Sequence, residues 1–353
     1  MTLPTTMSGI ALTGYGGLDF LEWRDDLPMP DVGPDDVLIR VAAAGVNNTD
    51  INTRTGWYAK SVTGATTDNA ALGADEDGTW NGEALQFPHV QGADCCGVIV
   101  AMGTNIDQAR LGSRVLTRTM QNHIQADGSS CLITQGSEVR GAFAQFMSAR
   151  AIDAIPVNSD WTDIELASIP CAYTTAEGML VRANVGAENL LITGASGGVG
   201  SAAIQLAKRR GATVWAITQS DKADALHDVG ADHTLNRDDP LPENQFDVVL
   251  DLVAGPRWPD LLDALKPMGR YVASGAIAGP MVTLDVRTLY LKDLSLLGST
   301  TQPDHILPDI ISYIERGEIR PLIAETYALR DIHVAQTSFM AKKTIGKIVL
   351  SVG

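Results

Sequence analysis

Asn189-Leu-Leu-Ile-Thr193, followed by Gly194-Ala-Ser-Gly197-Gly198-Val-Gly200 and then by residues 202–210, is the stretch on which the fold turns. It opens as a short apolar strand candidate, continues as a glycine-rich turn and ends with helical composition. Small residues are required where a backbone passes close to a pyrophosphate, because the phosphate charge is held by amide N–H groups and by the N-terminus of the following helix. A glycine cluster alone is a weak signal, and a turn that holds no ligand is the alternative. Here Thr213-Val-Trp-Ala-Ile217 supplies a second strand that closes a βαβ unit, and Phe246-Asp-Val-Val-Leu-Asp-Leu252 supplies a third. The glycines therefore stand in the context that a dinucleotide site needs.

Around this core, residues 160–300 alternate short apolar strands with helical segments, which predicts an α/β domain, a Rossmann-type doubly wound parallel sheet covered by helices. Between Ile10 and Ala154 the pattern is different. Short β-type runs such as Val37-Leu-Ile-Arg-Val41, Gly97-Val-Ile-Val-Ala101 and Arg114-Val-Leu-Thr117 are broken by Gly, Pro and Asp, as in a β-rich, turn-rich domain. The boundary is expected near Pro156. After Gly298 β-like segments return, ending in Ile345-Gly-Lys-Ile-Val-Leu350, with a helical stretch at 306–316. The expected organisation is thus one domain from residues 1–156 and 301–353 and a nucleotide-binding domain from 157–300. The interval from Ala59 to Pro88 reads as a long loop carrying Asp68, Asp75, Glu76, Asp77 and Glu83, and loops of that length often serve as lids.

Composition narrows the partners. The 353 residues carry 26 Lys+Arg against 42 Asp+Glu, a net charge of −16. Without a basic block, the surface lacks the positive footprint that nucleic acid or anionic lipid requires, so neither is an expected partner. No apolar run approaches the ~18 residues of a membrane span. Cys95, Cys96, Cys131 and Cys171 are too few and too irregular for a disulfide framework, and the segment from Met1 to Met7 lacks the cationic and apolar parts of a leader. A cytoplasmic location is the expectation.

The tip of the second strand reads Thr218-Gln-Ser220-Asp221-Lys222. A carboxylate at that tip accepts from the ribose 2′-hydroxyl in NAD sites, whereas a hydroxyl and an ammonium suit a 2′-phosphate. NADP is therefore the expected cofactor, with Thr218, Ser220 and Lys222 at its adenosine end. Asp221 opposes that choice if it faces the same pocket, and Ser220 and Lys222 also suit an exposed helix start. The glycine turn satisfies the short-chain dehydrogenase pattern as well, but that family needs a catalytic Tyr-x-x-x-Lys, and no Tyr here has Lys four residues later.

The chain instead resembles the medium-chain dehydrogenase/reductase superfamily, in its zinc-independent quinone oxidoreductase-like branch, over nearly its whole length. Gly45-Val-Asn47-Asn-Thr-Asp50-Ile-Asn-Thr-Arg-Thr-Gly56-Trp-Tyr58 looks like the branch's GVNxxDxxxRxGxY stretch, and Gly92-Ala-Asp94-Cys-Cys-Gly97-Val stands where its GxDxxGxV strand would stand. Cys171-Ala-Tyr-Thr174-Thr175, Leu289-Tyr-Leu-Lys-Asp-Leu-Ser-Leu-Leu-Gly298 and Gly346-Lys-Ile-Val-Leu350 follow in the family's order. The resemblance implies a GroES-like first domain. Zinc alcohol dehydrogenases of this superfamily ligate metal at positions occupied here by Asn47, Ala93 and Cys171, so two of three ligands are missing. Cys131 alone stands between Cys96 and Cys171, so the structural-zinc lobe is missing too. No metal is expected, and the four cysteines read as packing residues.

The resemblance further implies that Thr174 and Thr175 approach the nicotinamide half of the cofactor. Gly194, Ser196, Gly197, Gly198 and Val199 would line the pyrophosphate, and Ser274, Gly275 and Ala276 would flank the nicotinamide ribose. Gly275 serves equally as a turn after Arg270-Tyr-Val-Ala-Ser274. The Asn47–Tyr58 segment would line the substrate cleft, capped by the 59–88 insertion. Without metal, hydrogen-bond donors must stabilise a developing oxyanion, and Tyr58 is the best candidate, since a phenol of pKa about 10 stays protonated at neutral pH. Asn47 is the second candidate donor, and Asp50 completes the group; alternatively Tyr58 is a rim aromatic and Asn47 and Asp50 hold the turn. The expected activity is an NADPH-dependent, metal-free reduction of a small quinone, α,β-unsaturated carbonyl or aldehyde. The alternatives are a zinc-type alcohol dehydrogenase and a nucleotide-binding sensor or structural protein without turnover. The apolar Leu294–Gly298 segment resembles the family's pairing edge strand and implies a homodimer.

Overall fold

The computed structural model describes residues 3–66, 79, 82, 84–125 and 127–353. The described chain forms two units: unit 1 takes residues up to Val62, those from 79 to Cys171 and those from Leu307 onward, and unit 2 takes residues 63–66 and 172–306.

Unit 1 begins with an antiparallel pair, β1 (Thr6–Leu12) and β2 (Leu21–Pro28), and continues through β3 (Asp36–Gly45), α1 (Asn48–Thr55), β4 (Cys96–Met102) and β5 (Arg114–Thr117). A hairpin of β6 (Met120–Ile124) and β7 (Ser130–Thr134) follows, then β8 (Phe146–Arg150), β9 (Ala154–Pro156) and α2 (Asp163–Ala167). Helix α3 (Pro170–Arg182) leads into unit 2, which holds β10 (Asn189–Ile192), α4 (Gly198–Arg209), β11 (Thr213–Thr218), α5 (Ala223–Val229), β12 (His233–Asn236), β13 (Phe246–Asp251), α6 (Trp258–Asp263), β14 (Leu265–Ala273), α7 (Val286–Leu291) and β15 (Ser295–Gly298). The chain then returns to unit 1 through α8 (Ile306–Glu315), β16 (Ile323–Ala328), α9 (Ile332–Met340) and β17 (Lys347–Ser351).

The long strand β3 organises unit 1. Its run of Val37, Leu38, Ile39 and Val41 is buried, as befits a central strand, and it pairs with β4 along one side. On the other side β8 takes its first half and β17 its last, with Gly45 opposite Val349. A core of apolar side chains from β1, β3, β4 and β17 packs against this sheet. In unit 2 the sheet order is β12-β11-β10-β13-β14-β15, every pairing parallel, with the glycine turn following the central strand β10. This is the doubly wound sheet expected from the sequence, and it puts the turn at the reversal of strand order, where such folds bind ligands.

The domain boundary expected near Pro156 falls at Cys171. Residues 157–171 are fastened to unit 1 by polar bonds: the Arg114 guanidinium donates to the carbonyls of Trp161 (2.9 Å) and Ser159, and the Asn158 amide donates to Glu315 at 3.0 Å. Much of the 59–88 insertion, including all five of its acids, lies outside the described residues. Of its described start, residues 59–62 belong to unit 1 and 63–66 to unit 2, where the Thr66 amide donates to the carbonyl of Ile277 at 3.1 Å. Among the described residues no helix is long and apolar enough to cross a membrane.

Candidate active site and nucleotide cradle

In unit 2 the glycine turn builds a cradle for an anion. Gly194 sits at φ +60°, a left-handed conformation natural to glycine, and a Cβ on Gly200 would stand 2.4 Å from the Gly194 carbonyl oxygen. Gly197 caps α4 without any side chain, so the first-turn amides of Gly198, Val199 and Gly200, beside Ser196, are left to an outside acceptor. The carboxylate of Asp251, fully buried, holds the strand ends that frame this turn. It accepts from the Thr193 hydroxyl (2.5 Å), the Val253 amide (2.9 Å) and the Tyr271 hydroxyl (2.6 Å), while the Leu252 amide donates to the Thr193 oxygen (2.9 Å). The carboxyl ends of β10, β13 and β14 are thereby tied together. Sequence reading saw Asp251 only as a strand residue, since Thr193, just past β10, and Tyr271, on β14, reach it only through the fold.

At the tip of β11, Thr218 is buried and its hydroxyl has no hydrogen-bond partner among the described residues. The Ser220 hydroxyl accepts from the Asn236 amide at 2.6 Å. Lys222 is only 5% exposed, and burial pushes its ammonium below the usual range, Asp221 opposing and Arg237 adding to the effect. Arg237 was not anticipated. Its backbone amide donates to the Thr218 carbonyl at 3.1 Å, placing it one position past the Thr218–Asn236 pair of β11 and β12, and its guanidinium is exposed. Only strand register, which the sequence does not display, brings Arg237 beside Ser220.

Thr174 is buried and Thr175 half-buried on α3. Ser274 donates its amide to the Asp251 carbonyl at 3.2 Å, and Gly275 passes so close to β13 that a Cβ would meet the Leu252 oxygen at 2.8 Å; Ala276 follows on the same turn. Gly275 thus has a packing reason of its own. An uncapped helix, a glycine cradle and an orphaned hydroxyl at the ribose position together fit a dinucleotide.

In unit 1 the predicted residues gather around α1. This helix, Asn-Thr-Asp-Ile-Asn-Thr-Arg-Thr, is polar in composition, yet every residue from Thr49 to Thr55 is buried. Asp50 near its start accepts from the backbone amides of Asn47 (2.8 Å) and Ala93 (3.1 Å). Burial dominates over those bonds, with Asp94 adding to it, and the Asp50 carboxyl is pushed up to about 7. Asn47 gives its side-chain amide to Asp94 (2.8 Å) and to the Gly45 carbonyl (3.3 Å). Lys347, from β17, donates to Asp94 (2.9 Å), to the Asn47 side-chain oxygen (2.5 Å) and to the Val46 carbonyl (3.2 Å), while the Cys171 amide donates to the other Asp94 oxygen at 2.6 Å. Gly45 is required here, because a Cβ would lie 2.3 Å from Asp94. Both Asn47 amide protons are therefore held within the cluster. Tyr58 follows α1, and burial raises its phenol, so it stays protonated; Thr49 and Asn52 lie beside it and favour the ionised form more weakly.

At the positions where zinc relatives bind metal, Asn47 is occupied by Lys347 and Asp94, Ala93 has no ligating side chain, and Cys171 stands alone, so these residues do not fit a zinc ion. Among the described residues no group of three or more His, Cys, Asp or Glu side chains is placed to hold a metal. Cys95, Cys96 and Cys171 are buried and in no disulfide, and burial pushes the Cys96 thiol well above its ordinary range.

These two halves define a nicotinamide-dependent oxidoreductase, and the chain belongs to the medium-chain dehydrogenase/reductase superfamily. Residues 33–159 match the alcohol dehydrogenase GroES-like domain and residues 198–316 the zinc-binding dehydrogenase family. Among solved structures, a protein of Sinorhizobium meliloti 1021, provisionally named an alcohol dehydrogenase, is 41% identical with a TM-score of 0.88, over 99% of this chain and 97% of that one. The chain is also similar to the NADPH-dependent alkenal/one oxidoreductase of Arabidopsis thaliana chloroplasts (26% identity, 91% of this chain and 73% of that protein). An acryloyl-coenzyme A reductase of Sulfurisphaera tokodaii is 25% identical over 92% of this chain and 95% of its own length.

Proposed function

We propose that this protein is an NADPH-dependent, metal-free reductase of small α,β-unsaturated carbonyl compounds, with quinones and related aldehydes as further acceptors. The single observation that carries the reading is the closed Asn47–Asp94–Lys347 cluster: an ammonium and an amide fully engaged with protein acceptors stand where a metal site would need free ligands. The alkenal/one oxidoreductase relative supports the acceptor class.

NADPH, when bound, supplies the hydride. The Gly198, Val199 and Gly200 amides would hold its pyrophosphate, and Ser220 and Arg237 would take the 2′-phosphate, with Lys222 adding positive charge. Tyr58 donates a hydrogen bond to the carbonyl oxygen of the acceptor, where negative charge collects as the double bond is reduced. Asn47, Asp50, Asp94 and Lys347 fix the helix that leads to Tyr58. The acids of the 59–88 insertion make a densely negative thioester a poorer acceptor than a small enal or enone. A second copy of the chain pairs along β15, an edge strand flanked by the exposed side chains of Tyr290, Leu291 and Leu296.

The test is NADPH and NADH oxidation over enals, enones, quinones, aldehydes and acryloyl-coenzyme A, on protein whose metal content has been measured. Enones or enals with NADPH are expected to give the highest kcat/KM. Stoichiometric zinc, a preference for acryloyl-coenzyme A, or NADPH binding without turnover of any acceptor would each overturn the reading. Arg237→Ala is expected to raise KM for NADPH about 10-fold and leave NADH unchanged, in line with one lost charge-assisted contact of about 1.4 kcal/mol.

A further inference from the structure

The far end of α1 meets a second cavity, within unit 1. Residues 16–19, Arg54 and Thr55 of α1, and Thr337 and Met340 of α9 enclose about 440 Å³. Arg54 lines it and is only 2% exposed. Its Nε donates to Gln336 Oε1 at 3.1 Å and its Nη1 to the Gly16 carbonyl, but Nη2 reaches nothing better than the Met340 sulfur at 4.0 Å. Asp19, an exposed acid on the cavity wall, acts on the guanidinium through space and forms no ion pair with it. Burial lowers Arg54 to about 10, so the charge persists at neutral pH.

A second donor beside it is also unmet. The bond from Arg54 fixes the Gln336 amide with its oxygen toward the guanidinium, and Gln336 Nε2, fully buried, has no acceptor among the described residues. A buried cation without an anion and a buried N–H without an acceptor are both unfavourable; here the cation lines the cavity and the amide is bonded to it from outside the lining. What is missing is an oxygen acceptor, preferably charged. Leu18, Met340 and the methyl groups of Thr55 and Thr337 give the remaining wall an apolar character, while Asp19 disfavours a second negative charge.

We propose that this cavity binds a short-chain monocarboxylate, its carboxylate taken by Arg54 Nη2, which Gln336 holds in place through Nε, and its alkyl chain along Leu18 and Met340. The site is separate from the nucleotide cradle and from the Asn47–Asp94–Lys347 cluster, and shares only helix α1 with the latter. Hexanoate titrated onto the full chain, read by calorimetry and by thermal melting, tests it against hexanol, succinate and inorganic phosphate. Saturable binding of hexanoate is expected, at least 10-fold tighter than each comparator. Asp19→Asn should tighten hexanoate about 3-fold, Thr337→Trp should abolish binding by filling the cavity without altering the buried donors, and Tyr58→Phe should leave it unchanged. The proposal is overturned if hexanoate fails to saturate, if hexanol or phosphate binds equally well, if a folded Thr337→Trp variant binds as before, or if Tyr58→Phe removes the binding.

Discussion

Lys347 neutralises Asp94 inside the protein, where the two side chains are 5% and 0% exposed and 2.9 Å apart. Buried pairs of this kind gain little over an apolar pair, but breaking one leaves a charge stranded. Lys347→Met should therefore lower stability by about 3–5 kcal/mol, and adding Asp94→Leu should restore part of that, read as urea midpoints in a double-mutant cycle. The role proposed for Tyr58 is of the opposite kind, in reactivity and not in folding. Tyr58→Phe is expected to cut kcat about 100-fold while the KM for NADPH and the melting temperature hold, in line with the loss of one oxyanion donor. An unchanged kcat would remove Tyr58 from the chemistry.

Helix α1 joins these residues into one element, and its burial gives it a pH signature. The folded state holds Asp50 near 7 against an ordinary 3.8, so it binds the proton more tightly than the unfolded chain does. Stability from this group is fully present below about pH 4, falls as pH rises toward 7, and loses at most about 4 kcal/mol over that window. His89 acts in the reverse sense. Burial holds its imidazole down to about 4, so its contribution is complete above its ordinary 6.5 and is lost as pH falls toward 4. The two slopes oppose each other, so the wild-type profile alone conceals both. The difference in unfolding free energy between wild type and Asp50→Asn should fall with pH between 4 and 7, and a flat difference would show that Asp50 titrates normally. The sequence made β10, α4 and β11 legible because glycine spacing and apolar runs are local. It made Asn47, Asp50 and Tyr58 legible because they share one motif. Arg237, Asp251 and Gln336 were not, because each acts through a neighbour fixed by strand register or helix packing; the Cys171 boundary depends likewise on bonds made by Arg114 and Asp94 far earlier in the chain.

At the scale of the whole molecule, the unpaired edge of β15 and the exposed apolar residues beside it lead to a definite mass. Light scattering should give twice the 37.5 kDa of one chain, and Leu296→Lys, at the edge strand, should give the single mass while keeping the nucleotide site. A wild-type mass of one chain would refute the pairing. The chain order has a consequence in time. Lys347 lies 253 residues beyond Asp94, with residues 172–306 of unit 2 between them. At about 5–20 residues per second, a ribosome leaves Asp94 without its cation for roughly 13–50 s. During that interval the β-sheet of unit 1 also lacks β17, the strand that closes against Gly45, so its earlier strands wait half-assembled while the nucleotide-binding sheet, contiguous in sequence, can fold first.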